Sequence, residues 1–151
     1  MSHEFCFYNG EFINLKEVSV SIDDRGFLFG AGIYESIAIE DGVPFLLENH
    51  IDRLGINLEI VGITNPFLKS EWISIIDELI KINDVQRAKC YLQVTDGEHI
   101  SRSHANFGKP NTHIKLYPWQ DVETSNKAIT VLDQRWEMCH VKSISLLPNV
   151  I

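Results

Sequence analysis

The stretch AKCYLQVT, from Ala88 to Thr95, decides the fold. Every second residue in it is apolar, as in a strand that has one buried face. The segment THIKLY, Thr112–Tyr117, alternates in the same way, and the loop Asp96–Asn111 between them is rich in Gly, Ser, Asn and His. Both segments are predicted to be strands. A loop of that length often carries function.

Further strands are predicted on the N-terminal side. The segment Phe5–Ile13 surrounds Asn9-Gly10, and Tyr34–Leu47 surrounds Asp41-Gly42. Both dipeptides favour tight hairpin turns because they tolerate positive φ. The segment VSVSI, Val18–Ile22, alternates with period two and predicts one more half-buried strand.

Two helices are predicted between the strands. Glu48–Ile63 has apolar residues near helical spacing and a plausible terminator at Gly62, whereas Ser70–Asp84 is amphipathic and begins at a possible N-cap, Ser70. Antiparallel hairpins combined with helices indicate the α+β class.

The character of the sequence changes after Pro118, where the alternating segments give way to a connector. Residues 1–118 are predicted to form a small α+β domain and residues 119–127 a connector. Residues 128–151 are predicted to begin a second domain, with a first strand at Ala128–Arg135.

Composition limits the function. The chain has 151 residues and a net charge of −8, which disfavours binding to nucleic acid or to an anionic membrane. Neither a signal peptide nor an apolar run long enough to span a membrane is evident. Three widely spaced cysteines indicate a reducing compartment, so a cytoplasmic protein is expected. The histidines lack zinc-type spacing, and no metal site is predicted.

Lys142 lies in the apolar stretch HVKSISLLPNVI, His140–Ile151. Its amine could simply reach solvent from a strand edge, because lysines are seldom fully buried. Alternatively, a partly desolvated pocket favours the free amine, which can attack a carbonyl and form a Schiff base.

Arg53 has two interpretations as well. It could be a surface arginine paired with Asp52 or Glu48, or its guanidinium could bind phosphate oxygens.

The order of the motifs bears on these alternatives. The segments DRGFLFGAGIYES, HIDRL, YLQVTDG with SRSH, and HVKSISLLPNV follow one another along the chain. Together they resemble the class IV (fold type IV) pyridoxal-phosphate-dependent aminotransferases, and the D-amino-acid aminotransferases within that family most. The resemblance implies a pyridoxal 5'-phosphate cofactor and a second, larger, cofactor-binding domain, of which residues 128–151 are the beginning. It also implies a homodimer whose substrates are a D-amino acid such as D-alanine and a 2-oxo acid.

The resemblance also implies roles for individual residues. Lys142 would form the Schiff base and move the substrate Cα proton, and Arg53 would bind the cofactor phosphate. Tyr34 would line the substrate pocket, with Glu35 following it as in the family pattern. Arg102 and His104 would hold the substrate carboxylate and would reach in from the neighbouring subunit. The glycines Gly26, Gly30 and Gly32 are interpreted as turn residues that let the backbone pass close to the pocket.

Two departures from the family keep alternatives open. Asp96 stands where the family often has arginine, and the loop that follows is about one residue longer than usual. An aminodeoxychorismate lyase or a branched-chain aminotransferase of the same fold therefore remains an alternative. Family members are also about twice as long, so the chain is interpreted as an N-terminal half that shows little transamination alone. The non-enzymatic alternative is an isolated oligomerisation fragment with Lys142 exposed.

Overall fold

The structure is a computed structural model, and it describes residues 4–99, 108–121, 127–130, 132–133 and 135–150. Within these residues the strands form one antiparallel sheet in the order β2-β1-β6-β5-β3-β4. The strands are β1 Phe5–Tyr8, β2 Glu11–Asn14, β3 Gly32–Glu40, β4 Val43–Pro44, β5 Ala88–Thr95 and β6 Asn111–Pro118. The predicted α+β class is therefore confirmed.

Two long helices, as predicted, pack on the sheet: α2 against β3, and α3 against both α2 and β1. Two short helices and a 3-10 turn complete the described elements. The helices are α1 Arg25–Phe29, α2 Leu47–Val61, α3 Lys69–Ile82 and α4 Leu147–Val150, and the 3-10 turn is Leu15–Glu17. None of the helices in the described ranges has the length and apolar character needed to cross a bilayer.

Strand β5 lies in the interior of the sheet, as its alternation predicts. It pairs with β3 and with β6 over its whole length, Ala88–Thr95. Its even-numbered residues are fully buried against the helices, together with Ile114 and Leu116 of β6. The odd-numbered residues point to the opposite face because successive side chains of a strand alternate.

Both predicted hairpin turns are confirmed. Asn9 and Gly10 have φ values of 49° and 102°, and Asp41 and Gly42 have φ values of 51° and 74°. These left-handed conformations suit Asn, Asp and Gly, and they join antiparallel neighbours in two residues.

Three local predictions are wrong. Val18–Ile22 forms no strand: it follows the 3-10 turn, and Val20 and Ile22 are exposed, so its alternation marks no buried face. Helix α3 begins one residue earlier than Ser70. Its N-cap is Leu68, whose N–H donates to Glu71 Oε2 at 2.6 Å.

The third wrong prediction is the strand over residues 128–135. The described part of that segment contains no strand, and Ile129 and Leu132 are exposed. A strand forms only where a neighbour satisfies its backbone groups, and the described residues pair none with this segment. Further along, Val141 joins the hydrophobic core of the sheet and helices. The domain division at 118 and 128 stays a prediction.

Candidate active site

The backbone around Lys142 lies along the edge of β3. The carbonyl of Lys142 accepts a hydrogen bond from the Tyr34 N–H at 3.1 Å, and the N–H of Ile144 donates to the Gly32 carbonyl at 3.0 Å. Ile33 and Ser143 form an antiparallel bridge between these two bonds. Residues 142–144 therefore extend the sheet beside the half of β3 that β4 does not cover.

Two glycines permit this close approach. Gly30 ends α1 in the left-handed region at φ 67°, and its carbonyl accepts from Ser145 Oγ at 3.0 Å. A Cβ on Gly32 would lie 2.8 Å from Ile144 Cδ1 and 2.8 Å from the Val94 carbonyl oxygen. At these two positions the glycines act as the sequence predicts, because they let the chain that carries Lys142 pass close by.

The Lys142 amine lies over an aromatic ring. Its Nζ is 4.1 Å from the centre of the Tyr34 ring, and the residue is half-buried. Tyr34 in turn stacks on Tyr91, with ring centres 5.6 Å apart and an interplanar angle of 21°. Burial, together with the neighbouring Tyr117 and Tyr34, raises the pKa of the Tyr91 phenol to about 12. The ring face is the electron-rich side of Tyr34, so it attracts the amine in its cationic form and restricts its position.

Arg53 is anchored by a buried carboxylate. Glu35 is fully buried, and its two oxygens accept from Arg53 Nε and Nη2 at 2.6 Å each. His50 Nδ1 lies 2.8 Å from the same carboxylate. The hydrogen bonds that Arg53 donates to Glu35 are the main cause that raises the pKa of Arg53. Such a bidentate pair fixes the plane of the guanidinium.

The pairing of Arg53 with Asp52 or Glu48, one of the two sequence interpretations, is wrong. Both acidic residues pair instead with Lys69. Arg53 reaches inward to Glu35, yet half of its side chain remains exposed. In the described part of the chain its Nη1 has no hydrogen-bond partner, so one edge of the guanidinium is available to a ligand.

Asn57 joins the two halves of the site. Its Nδ2 donates to the Arg53 carbonyl at 2.7 Å, and its Oδ1 accepts from the Lys142 N–H at 2.9 Å. Tyr34 and Glu35 are adjacent in β3 and point to opposite faces. The site therefore wraps around this edge of the sheet, with Lys142 on the Tyr34 side and Arg53 on the helix side.

The departure at Asp96 has a structural explanation. Asp96 is buried at the end of β5, and its Oδ2 accepts from Arg25 Nε at 2.5 Å. Its Oδ1 accepts from the Gly108 N–H at 3.2 Å, which ties together the two ends of the loop. Arg102 and His104, the predicted carboxylate ligands, lie outside the described residues.

Sequence reasoning missed the roles of Glu35, His50 and Asn57. The sequence carries a signal for Glu35, because in β3 it lies on the same face as Ile33 and Ile37, which are buried. A charged residue there requires a partner. His50, Arg53 and Asn57 follow at spacings of three and four, which place them on one side of α2.

The chain is similar to known proteins over most of its length. A family model described as amino-transferase class IV matches residues 32–151. The D-alanine aminotransferase of Staphylococcus haemolyticus is 36% identical over 153 residues, which cover 96% of this chain and 54% of that protein. The D-alanine aminotransferase of Bacillus licheniformis is 37% identical over 149 residues, 95% of this chain and 53% of that protein.

Solved structures share the fold. A putative 4-amino-4-deoxychorismate lyase from Legionella pneumophila superposes with a TM-score of 0.76 at 21% identity, over 88% of this chain and 50% of that one. The branched-chain aminotransferase of Escherichia coli gives 0.69 at 19% identity, over 77% and 40%. At these identities the likeness concerns the fold alone.

The chain spans about half the length of the curated relatives that it matches. The family model nevertheless covers most of the chain, including Tyr34, Arg53 and Lys142. The chain belongs to the class IV aminotransferase family.

Proposed function

We propose that this protein transfers the amino group of a D-amino acid, such as D-alanine, to a 2-oxo acid, with pyridoxal 5'-phosphate as cofactor. The observation that carries the proposal is the half-buried Lys142, whose amine lies 4.1 Å from the ring centre of Tyr34. The choice of D-amino acids is supported by the relatives at 36–37% identity, which are named D-alanine aminotransferases.

The residues present fit the cofactor. Pyridoxal phosphate carries an aldehyde and a phosphate, which call for an amine and for a cationic donor of hydrogen bonds. Lys142 provides the amine, and Arg53 offers Nη1 on an edge that Glu35 leaves available. Another branched-chain aminotransferase that shares the fold, with a TM-score of 0.69 at 19% identity, has been solved with N-(5'-phosphopyridoxyl)-L-glutamate. In our proposal Arg53 holds the phosphate and Lys142 holds the cofactor covalently.

The chemistry divides between cofactor and protein. When bound, pyridoxal phosphate accepts the electron pair left on the substrate Cα as its proton departs. Lys142 Nζ takes that proton as a general base and later returns a proton as a general acid. Tyr34 borders the amine on one side and so restricts the direction from which the substrate can approach. Arg102 and His104 are proposed to hold the substrate carboxylate, which would orient the Cα–H bond toward Lys142.

The homodimer and the cytoplasmic location stay predictions. The dimer matters for the chemistry, because Arg102 and His104 are proposed to serve the neighbouring subunit. The second, cofactor-binding domain is likewise a proposal that the half-length match to the relatives supports.

Amino-group transfer is tested on protein isolated from its natural source. We expect D-alanine and 2-oxoglutarate to yield pyruvate and D-glutamate, L-alanine to react far more slowly, and Lys142→Ala to abolish the reaction. Lys89→Ala is the matched control, since Lys89 also lies beside a tyrosine ring but is exposed. Transfer that persists without Lys142 would contradict the proposal.

The same assay distinguishes an aminotransferase from the alternative, an aminodeoxychorismate lyase. The similarity to the Legionella protein is one of fold and names no substrate for this chain. A lyase would release pyruvate from its own substrate by elimination and would form no D-glutamate from D-alanine.

A further inference from the structure

Two asparagines make the same pair of contacts in two places. Asn83 donates from Nδ2 to the Leu79 carbonyl at 2.9 Å, and its Oδ1 accepts from the Phe5 N–H at 3.1 Å. Asn57 donates to the Arg53 carbonyl, four residues before it, and accepts from the Lys142 N–H across 85 residues. Each side chain ties a helix to a distant backbone segment. Asn83 secures β1, whereas Asn57 secures the lysine of the proposed site.

We propose that Asn57 is a positioning residue that sets the spacing between Lys142 and Arg53. This inference rests on the proposed function, because it assigns the two groups to one cofactor. The hydrogen bonds of Asn57 go to the backbone of both residues and not to the amine or the guanidinium, so it acts through the backbone.

Burial of Asn57 strengthens its hold on the two backbone segments. Asn57 is 3% exposed, so water does not replace either hydrogen bond easily. The backbone of Lys142 is held on both sides, since its N–H donates to Asn57 and its carbonyl accepts from Tyr34. With the backbone fixed, the side chain extends over the Tyr34 ring. The turn of α2 that carries Arg53 is fixed to the same amide and, separately, to Glu35.

The spacing matters because one molecule must meet both residues. The aldehyde and the phosphate of the cofactor are joined by a rigid ring, so they reach the amine and the guanidinium together only at a defined separation. Loss of Asn57 frees residues 142–144 from α2 while their pairing with β3 persists. Binding of the phosphate by Arg53 would then do less to bring the aldehyde to the Lys142 amine.

Two probes measure this coupling. Pyridoxal 5'-phosphate and pyridoxal both react through the aldehyde: the lysine nitrogen adds to the carbon, a C=N bond forms and water leaves. Added borohydride donates hydride to that carbon and, with a proton from water on nitrogen, gives a stable secondary amine. Peptide mass spectrometry then gives the labelling rate at Lys142 relative to Lys89 in the same sample.

In the wild type we expect the phosphate form to label Lys142 faster than pyridoxal does, after normalisation to Lys89. Asn57→Ala should reduce that preference by about five-fold, the change expected from one hydrogen bond of ordinary strength. Asn57→Asp keeps an acceptor for the Lys142 N–H and should restore part of the preference. Asn83→Ala is the matched control and should leave it unchanged, even if it lowers stability.

An unchanged preference in Asn57→Ala would overturn the inference while leaving the proposed function intact. Absence of labelling at Lys142 in the wild type would instead overturn the proposed function. Should Asn57→Ala fail to fold, amide hydrogen exchange in the wild type decides. A Lys142 N–H that exchanges as fast as those of exposed loops would contradict the role of Asn57.

Discussion

On one face of the sheet, α2 and α3 cover apolar side chains such as Leu92 and Ile114. The carboxylate of Glu35, from β3, is buried on the same face. The opposite face carries Tyr34, Tyr91 and His113, and at its end Thr95 Oγ1 donates to Asp24, the N-cap of α1. The first face forms the hydrophobic core of the described residues, whereas the second carries aromatic and polar groups. The proposed site lies where β3 brings the two faces together, at Tyr34 and Glu35.

The two faces should differ most in how much free energy of unfolding is lost when a side chain of β6 is truncated. Ile114→Ala removes a fully buried side chain and should lower the free energy of unfolding by about 3 kcal/mol. Lys115→Ala, one residue further on the opposite face, loses a contact with the Tyr117 ring and should cost at most about 1 kcal/mol. Urea unfolding of both variants measures this, and equal losses would show that the faces do not differ.

Arg53 tests whether a charge on the covered face requires its partner. Arg53→Met removes the guanidinium from the buried Glu35 carboxylate and leaves only His50 beside it, which should cost about 2 kcal/mol. That is less than for a fully buried pair, because half of the Arg53 side chain is in solvent, where charge interactions are screened. Urea unfolding is again the measurement.

Lys69→Met is the matched control for Arg53. It breaks contacts with Asp52 and Glu48 that are exposed to solvent, so its unfolding midpoint should stay close to that of the wild type. If both variants lose the same stability, the interpretation of Glu35 as a buried anchor is wrong.

A smaller effect is expected where the two faces meet at the edge of β3. Gly32→Ala would press its Cβ against Ile144 and the Val94 carbonyl, and should cost about 1.5 kcal/mol. Gly55→Ala is the control: it lies in α2 with its nearest neighbour 3.7 Å away, and should stabilise the protein by about 0.7 kcal/mol. Thermal unfolding distinguishes the two signs, and a stabilising Gly32→Ala would contradict the close approach of residues 142–144.

The smallest predicted effect is a pH dependence on the opposite face. Burial, and then Lys115, lowers the pKa of His113 below its ordinary 6.5, although Asp24 opposes this. Between the lowered and the ordinary pKa, the unfolded chain binds more protons than the folded one, so stability falls as the pH drops below about 6.5. His113→Gln should flatten that fall in urea unfolding measured from about pH 7.5 to about pH 5.5. A slope identical to the wild type would show that His113 titrates alike in both states.

Much of the fold follows from local patterns in the sequence. The alternation of Ala88–Thr95 and the two turn dipeptides suffice for the strands and hairpins that the structure confirms. Val18–Ile22 has the same alternation, but no described strand pairs with it, and its Ser19 carbonyl accepts from the Tyr8 hydroxyl instead. Pairing with a neighbouring strand is not a local property. Likewise, the four motifs indicate Tyr34, Arg53 and Lys142, whereas the Asn57 link joins residues 85 positions apart and depends on the tertiary fold.

The most direct measurement is the order in which pyridoxal 5'-phosphate and borohydride label the lysines of the wild-type chain. If the amine of Lys142 is held for the cofactor beside Tyr34 and within reach of Arg53, Lys142 is labelled first and well before Lys89. Labelling of Lys142 no faster than that of Lys89 would contradict the account.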